Sequence, residues 1–599
     1  MSSTTIGNTV RGRLLLRGAE GYEEARVGRI FNARRPDRYP AGVLEVADAQ
    51  DVAAGVRYGF SLDGGGVLPD PRGVHLPEGP HGLTRTYDLG SFPWTDAGWG
   101  GAPLAGSVLY ELHIGTFTPG RTFDAAIERL DHLVDLGVTM VEVMPIASFP
   151  GRHGWGYDGV APFAVHQPYG GPDGFMRFVD ACHARGLAVC LDVVYNHLGP
   201  DGNHLGAYGP YFTADYDTPW GLALNLDGPG SDQVRRYVLD NVTLWLRDFH
   251  VDALRLDAVH ELYDGRALTL LEEISVVADD LAERLGRPVA VTAESDRNDP
   301  QTVMARDLGG VGLSAQWADD VHHGLHAALT GESQSYYADF ADRDALATVL
   351  ATPFFHAGTW SSFRERVHGR PVEPGKVRGS QFVVCLQNHD QIGNRAVGDR
   401  LSSSLGLRRL QCGALLLLTS PYTPMLFMGE EWGASTPWQY FTDHTDPGLG
   451  EAVRQGRRSE FAAFGFAWDD VPDPQSAATV EASTLDWSEV SEGVHGELLD
   501  WHVRLLMLRR ERPELRDDDL GAVTVRQPAP WVVVVHRGPY RVAVNLSPQP
   551  VVVELQAEGP VVVELANDAI ALGDDGRLTL PPDGAVLVGP APDRSSPGQ

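Results

Sequence analysis

In the stretch FHVDALRLDAVH, residues 249–260, Arg255 and Asp257 stand two apart inside an apolar run. Alternate residues of a strand project from one face, so a guanidinium and a carboxylate lie side by side at the strand's end. Such a pair either closes a structural corner or keeps a carboxylate ionised for chemistry. Three more acids sit where apolar runs end: Asp192 in AVCLDVVYNH, Glu294 in AVTAESD and Asp390 in FVVCLQNHD. Asn196 and His197 follow the first, His260 follows Asp257, and His389 precedes the last. Singly, each acid reads equally well as a loop cap. Four of them at the ends of runs belonging to one barrel converge on one mouth.

Cleaving an acetal is chemistry that such a cluster could do. It requires a proton for the leaving oxygen and a negative charge to meet an oxocarbenium-like centre, so two carboxylates must hold opposite protonation states at one pH. The fixed charge of Arg255 is expected to keep Asp257 ionised and nucleophilic. Glu294 has no basic neighbour along its own strand before Arg297 and faces two other acids, so it is the one expected to stay protonated. A separation of about 5–5.5 Å between the two would make the reaction retaining, through a glycosyl-enzyme intermediate.

These side chains need a scaffold. From about residue 107 to 430, short β-rich runs alternate with amphipathic helical stretches, the pattern of βα units around a parallel sheet. SVLYELHIG, TMVEVMPI, AVCLDVVYNH, ALRLDAVH, AVTAESD, FVVCLQNHD and PMLFMGEEW read as strands, with an eighth near GVGLSAQW. FDAAIERLDHLVDLG reads as one helix, with Phe123, Ile127, Leu130 and Leu133 at helical spacing and Gly137 as its stop. The predicted fold class is therefore α/β, a (β/α)8 TIM barrel. HGELLDWHVRLLMLRRERPEL, 495–515, reads as a long amphipathic helix ending near Pro513. After it WVVVVHRG, YRVAVNLS and the doubled PVVVEL at 550–555 and 560–565 read as antiparallel strands of a small β-sandwich, with QAEG as a turn between the copies.

Bulk composition excludes several functions. The net charge of −32 repels phosphate backbones and anionic lipid surfaces, so neither nucleic acid nor membrane is an expected partner. Lys376 is the only lysine, which removes a Walker-type Gly-Lys loop and a lysine Schiff base. The 13 Trp are a mild excess, and flat aromatic faces suit sugar rings. Cys182, Cys190, Cys385 and Cys412 show no C-x-x-C spacing and read as buried reduced thiols. The first residues lack the apolar core of a secretion signal, and the longest apolar stretch is broken by Ser-Pro-Tyr-Thr-Pro before it could span a bilayer. A cytoplasmic location is expected.

Over roughly residues 105–590 the chain resembles the α-amylase-type glycosidases, glycoside hydrolase family 13. DVVYNH at 192–197, LRLDAVH at 254–260, TAES at 292–295 and QNHD at 387–390 resemble that family's four short regions, in the family's order. The resemblance implies that Asp257 is the nucleophile, Glu294 the general acid/base and Asp390 the third carboxylate, which stabilises the transition state. It implies that His197 and His389 hydrogen-bond sugar hydroxyls and that Tyr157, on the loop GRHGWGYDGV with Trp155 and Asp158, stacks on the ring at the reactive subsite. Asp192, Arg255 and His260 complete the substrate-binding set. Asn196 resembles a calcium ligand of some amylases, but its companion ligands are not identifiable, so no metal is assigned, and no cofactor is expected.

Longer stretches, among them YFTADYDTPWGLALNLDGPGSDQVRRYV, AQWADDVHHGLHAALTGE and QNHDQIGNRAVGDRL, are similar to one subfamily, the maltooligosyltrehalose trehalohydrolases. Its members cleave the α-1,4 bond next to the terminal trehalose of a capped malto-oligosaccharide, which makes that glucan the implied partner and a maltooligosyltrehalose synthase the implied pathway companion. Ala318 departs from the pattern, where a polar residue is expected. Glycogen branching enzymes share the barrel and acids but pass the glycosyl unit to a glucan hydroxyl. A non-catalytic glucan-binding protein would be expected to lose an acid or gain a membrane span, and neither is seen.

The expected organisation is an atypical segment over 1–57, the end of an N-terminal β-sandwich with a linker over 58–104, the barrel with insertions over 105–515, the C-terminal β-sandwich over 516–589 and a disordered tail over 590–599. This subfamily usually begins with a complete β-sandwich, of which only the end is recognisable here, making the N-terminal β domain truncated. GYEEARVGRIFNARRPDRYPAGVLEVADAQDVAAGVRYG instead resembles the start of an FAD-linked oxidase, which leaves two readings, a fusion or mis-assembled reading frame and a divergent domain. It lacks the rest of a flavin fold and any pyrophosphate loop, so no flavin is expected.

Overall fold

The computed structural model describes residues 55–592 apart from 463–466, 468, 469, 558 and 574, and before residue 55 only two short strands. Those strands, Arg13–Leu16 and Gly42–Glu45, pair antiparallel. The remainder of the oxidase-like segment and the tail from residue 593 lie outside the described residues.

Eight parallel strands close a barrel: β1 (Leu109–Leu112), β2 (Met140–Val143), β3 (Ala188–Val193), β4 (Ala253–Leu256), β5 (Ala290–Ala293), β6 (Ala315–Trp317), β7 (Phe382–Cys385) and β8 (Thr423–Phe427). Each coincides with one of the predicted runs. The pleat explains why the runs read as they do. Leu109, Met140, Ala188, Cys190, Ala253, Ala290, Ala315, Trp317, Val383, Cys385 and Met425 form one buried cluster inside the barrel. Further along the same inward faces come Glu111, Glu142, Asp192, Arg255 and Thr292, in register Glu111↔Glu142 and Asp192↔Arg255↔Thr292. Apolar side chains thus fill the N-terminal end of the barrel, and a charged layer, with Cys190 and Trp317 at its level, fills the C-terminal end. The opposite strand faces, with Val141, Val143, Leu191 and Leu254, meet the surrounding helices in the main core.

The helical layer departs from the ideal at two places. The stretch expected as one helix is two, α1 (Phe123–Ile127) and α2 (Leu130–Leu136), separated at Glu128 and Arg129, the latter at φ −109° and ψ −1°. Gly137 stops α2 as expected, in the left-handed region at φ 100°, donating its N–H to Leu133 O. Between β5 and β6 only two 3-10 turns intervene, Pro300–Thr302 and Arg306–Leu308. The other crossovers carry helices of ordinary length, including α3 (Gly171–His183), α4 (Ser231–Thr243), α5 (Leu270–Leu285), α6 (Asp319–Thr330) and α7 (Leu407–Leu418). After β8 come α8 (Pro447–Ala462) and the predicted long helix, α9 (Gly493–Glu511).

The C-terminal strands form two facing sheets. A five-stranded antiparallel sheet runs in the order β9 (Val523–Ala529), β10 (Val532–Arg537), β11 (Tyr540–Asn545), β15 (Gly584–Pro590) and β13 (Val561–Ala566). It faces the pair β12 (Val551–Glu554) and β14 (Arg577–Leu580) across a core that includes Val534, Val553, Leu578, Leu580 and Val586. The doubled PVVVEL copies are therefore strands but not partners: β12 pairs with β14 and β13 with β15. Identical sequences could as well have paired with each other; what separates them is that each needs a different buried face. The sheet's other face packs on α7, where Arg409 Nη2 donates to Leu546 O at 2.6 Å.

Ahead of the barrel lie short pairs, Arg57–Tyr58 with Thr84–Arg85 and Phe60–Ser61 with Val67–Leu68. Tyr208 and Tyr237 tie this segment to the barrel by donating their O–H groups to Pro69 O and Pro71 O.

Candidate active site

The C-terminal ends of the strands carry the acids, and one cation organises them. Arg255 is completely buried, and its guanidinium lies 4.4 Å below the Trp317 ring centroid. Its Nη1 donates to Asp192 Oδ2 at 2.6 Å and to Asp257 Oδ1 at 2.9 Å, and its Nη2 donates to Glu294 Oε2 at 2.8 Å. Arg255 and Asp257 thus share a strand face as predicted, and the same side chain also holds the acid of the neighbouring strand.

Asp257 is further fixed by Asn196, whose Nδ2 donates to its Oδ2 at 2.6 Å and its carbonyl at 2.8 Å. The Asn196 Oδ1 meets His197 Nδ1, so this amide is spent on Asp257 and His197. Ala258 takes a left-handed backbone, φ 38°, at the sharp exit from β4, and its N–H donates to Glu294 Oε2 at 2.8 Å. With Oε2 receiving two N–H groups, a proton on Glu294 resides on Oε1. Burial pushes Glu294 up to about 8, outweighing the opposing Arg255, with the charges of Asp257 and Asp390 acting in the same direction as burial. The shift is in the direction expected of the acid that keeps its proton, but its cause differs from the one expected: Glu294 has a basic neighbour from the adjacent strand, and desolvation overrides it.

Asp390 lies at the start of the short helix His389–Gly393. Burial would raise its carboxyl, but the adjoining His389 charge and hydrogen bond bring it down to about 2. His389 is held well above the ordinary histidine value: burial opposes the charge, and Asp390 and Glu111 overcome it. Its Nδ1 lies 2.6 Å from Glu111 Oε1, and its Nε2 lies 2.7 Å from Tyr157 Oη. Protonated at both nitrogens, His389 donates to each of them, and Tyr157 passes its own O–H to Asp192 Oδ2 at 2.6 Å. Asp192 is raised to about 6 by burial despite Arg255.

Above this layer opens a cleft of about 730 Å³. Asp257, Glu294 and Asp390 line it together with Trp155, Tyr157, Asp158, His197 and His260. Their placements differ. Tyr157 presents its ring with the hydroxyl anchored beneath. Trp155 is packed against Trp438 with centroids 5.3 Å apart, so most of its face is committed to the core. His197 stacks on Trp220 at 4.2 Å and bonds Tyr157 O through Nε2. Asp158, raised by burial, sits near His444. Asp192, Arg255 and His389, expected to bind substrate, lie beneath the cleft surface, buried to 2%, 0% and 1% exposure, and support the residues that line it.

Several lining residues escaped the sequence reading. Trp220 is 48% exposed at the tip of the hairpin formed by Phe212–Thr218 and Gly221–Leu224. Asp319, at the start of α6, is raised to about 7 by burial and by Asp390. Tyr440 closes one wall, and Leu449 and Val453 of α8 another. Asp319 stands two residues after β6, a strand-end position like those of Asp257 and Glu294 that could have marked it, whereas Trp220, Tyr440, Leu449 and Val453 follow no barrel strand closely and carried no such signal. Ala318, where a polar residue was expected, is 2% exposed within the main core, its N–H bonded to Val383 O.

Comparison with known proteins adds to this geometry. Residues 120–206 match the model of the alpha amylase catalytic domain. A malto-oligosyltrehalose trehalohydrolase of Arthrobacter ramosus is 55% identical over 89% of this chain and 91% of its own length. The chain belongs to the malto-oligosyltrehalose trehalohydrolase family. Another member, from Rhizobium sp. (strain M-11), is 50% identical over 96% of this chain and 95% of its own, a match that reaches into the segment before residue 58. A crystal structure of a protein assigned as an alpha amylase from Salmonella typhimurium superposes with a TM-score of 0.81 at 38% identity, covering 89% of this chain and 90% of that one. Membership of the malto-oligosyltrehalose trehalohydrolase family accounts for the barrel and for the convergence of acids at its mouth.

Proposed function

We propose that this protein hydrolyses the α-1,4-glucosidic bond next to the terminal trehalose of maltooligosyltrehalose, releasing trehalose by a retaining double displacement. The observation that carries the reading is that Asp257 and Glu294 are gripped by adjacent nitrogens of one guanidinium at the floor of one cleft. That arrangement keeps the two acids close, as the retaining mechanism requires with its separation of about 5–5.5 Å.

Glu294 Oε1 delivers its proton to the glycosidic oxygen as the bond from the anomeric carbon to trehalose breaks. Asp257, its second oxygen steadied by Asn196, attacks that carbon and forms the glycosyl-enzyme. Glu294, now ionised, takes a proton from water, which attacks the same carbon and expels Asp257. Asp390, held as an anion by His389, faces the developing positive charge. Tyr157 stacks on the ring at the reactive subsite, with its hydroxyl locked by Asp192 and His389. His197, His260, Trp155 and Asp158 line the walls that hold the sugars. The cleft needs no metal or cofactor for these steps. The capped glucan must come from an enzyme that forms the α,α-1,1 end, a maltooligosyltrehalose synthase. Four free, buried cysteines support a cytoplasmic setting for the reaction.

Incubating the purified chain with maltotriosyltrehalose and with maltopentaose tests the proposal. Trehalose released from the first substrate is expected. New α-1,6 branches would assign a transferase instead, and absence of turnover would reject catalysis.

A further inference from the structure

A second cavity, of about 190 Å³, lies between the loops that leave β1 and β2. Its lining includes Arg121, Thr122, Arg152, His153 and Phe441. The chain carries a net charge of −32, and among the described residues neither Arg121 nor Arg152 has an ion-pair partner, although both stand at this one cavity. Arg121 is presented from a left-handed backbone at φ 55°, which an L-residue rarely adopts. Thr122 accepts Ala125 N–H with its Oγ1, which leaves its hydroxyl proton for a ligand. One carboxylate stands nearby, Asp443, and its Oδ2 is occupied by the Arg152 backbone N–H at 2.7 Å. Burial holds His153 below its ordinary range, with Asp443 acting against and the two guanidinium charges with that shift. The cavity is therefore a small, net-positive pocket on an acidic molecule.

We propose that this pocket is an anion site, taking inorganic phosphate or a phosphomonoester between the guanidinium groups of Arg121 and Arg152, and that its occupancy is coupled to the catalytic cleft. Planar guanidinium groups match phosphate oxygens in pairs, whereas a neutral glucan has no use for two unpaired cations. The coupling is physical: Arg152 and His153 begin the loop whose next residues, Trp155, Tyr157 and Asp158, line the cleft, and Phe441 lines both cavities. Gly154 O, between them, lies within hydrogen-bond distance of both His113 Nε2 and Tyr169 Oη.

The test is titration calorimetry of the full chain with inorganic phosphate, and separately with glucose 6-phosphate, at constant ionic strength. One saturable site is expected, at least tenfold weaker in the Arg121→Gln/Arg152→Gln double variant with its circular dichroism unchanged. Tighter binding of glucose 6-phosphate points to a phosphomonoester as the ligand, and equal binding to free phosphate. Should the double variant fold poorly, phenylglyoxal labelling of the unaltered protein replaces it, phosphate being expected to protect both arginines. No saturable binding, an affinity the variant retains, or no protection overturns the site. A KM for maltotriosyltrehalose that saturating phosphate leaves unchanged overturns the coupling. Binding is read without turnover, so its failure is distinct from failure of the proposed hydrolysis.

Discussion

Arg255 Nη2 lies 2.8 Å from Glu294 Oε2, so the group proposed to deliver a proton is bonded to a permanent cation. That contact alone would ionise the acid. Burial decides otherwise and pushes Glu294 up to about 8. The proton is present below that value and lost above it, so hydrolysis is expected to fall as pH rises through about 8. A pH profile of kcat/KM for maltotriosyltrehalose checks this. Glu294→Gln should lower kcat on the order of 10²–10⁴-fold and erase the alkaline limb; a limb that persists in the variant would assign it to another group.

Asp257→Ala should abolish turnover with the fold intact, because its carboxylate reaches the cleft and the barrel core does not depend on it. Azide can then occupy the vacated space and attack the anomeric carbon from the nucleophile's side. The expected product is the β-glycosyl azide, against the α-anomer from Glu294→Ala, where Asp257 remains. Nuclear magnetic resonance of the products distinguishes them, and exchanged anomers would reverse the two roles.

Trp220 stacks on His197 at 4.2 Å while remaining 48% exposed to the cleft. A flat apolar face of this kind binds sugar without taking part in proton transfer. Trp220→Ala is expected to raise KM about tenfold, equivalent to ~1.4 kcal/mol, with kcat little changed. A loss confined to kcat would mean that the ring acts through His197 on Asp257.

Glu142 is buried inside the barrel, and burial, reinforced by Glu111, raises it to about 8. Its folded-state value lies above the unfolded one, so its contribution to stability is fully present below the unfolded value and is lost as pH rises through about 8. Glu142→Gln removes the charging step. The variant should gain on the order of 1–3 kcal/mol relative to the parent between pH 5 and 9. Thermal unfolding across that range reads the difference, and parallel curves for both proteins would show Glu142 ionised throughout.

The sequence by itself determined the barrel and its acids, since inward-facing positions that run from Ala or Val to Asp or Glu along one strand leave a period that survives in one dimension. It also showed which residue pairs share a strand face, Arg255 with Asp257 among them. Tertiary structure decided what crosses between strands. That Arg255 also holds Glu294, that Glu111 stands behind His389, and that Trp220 reaches the cleft from a hairpin are contacts between segments tens to hundreds of residues apart, with no spacing to betray them. The two identical PVVVEL copies make the same point, because strand propensity is local whereas the choice of partner depends on which face each strand must bury.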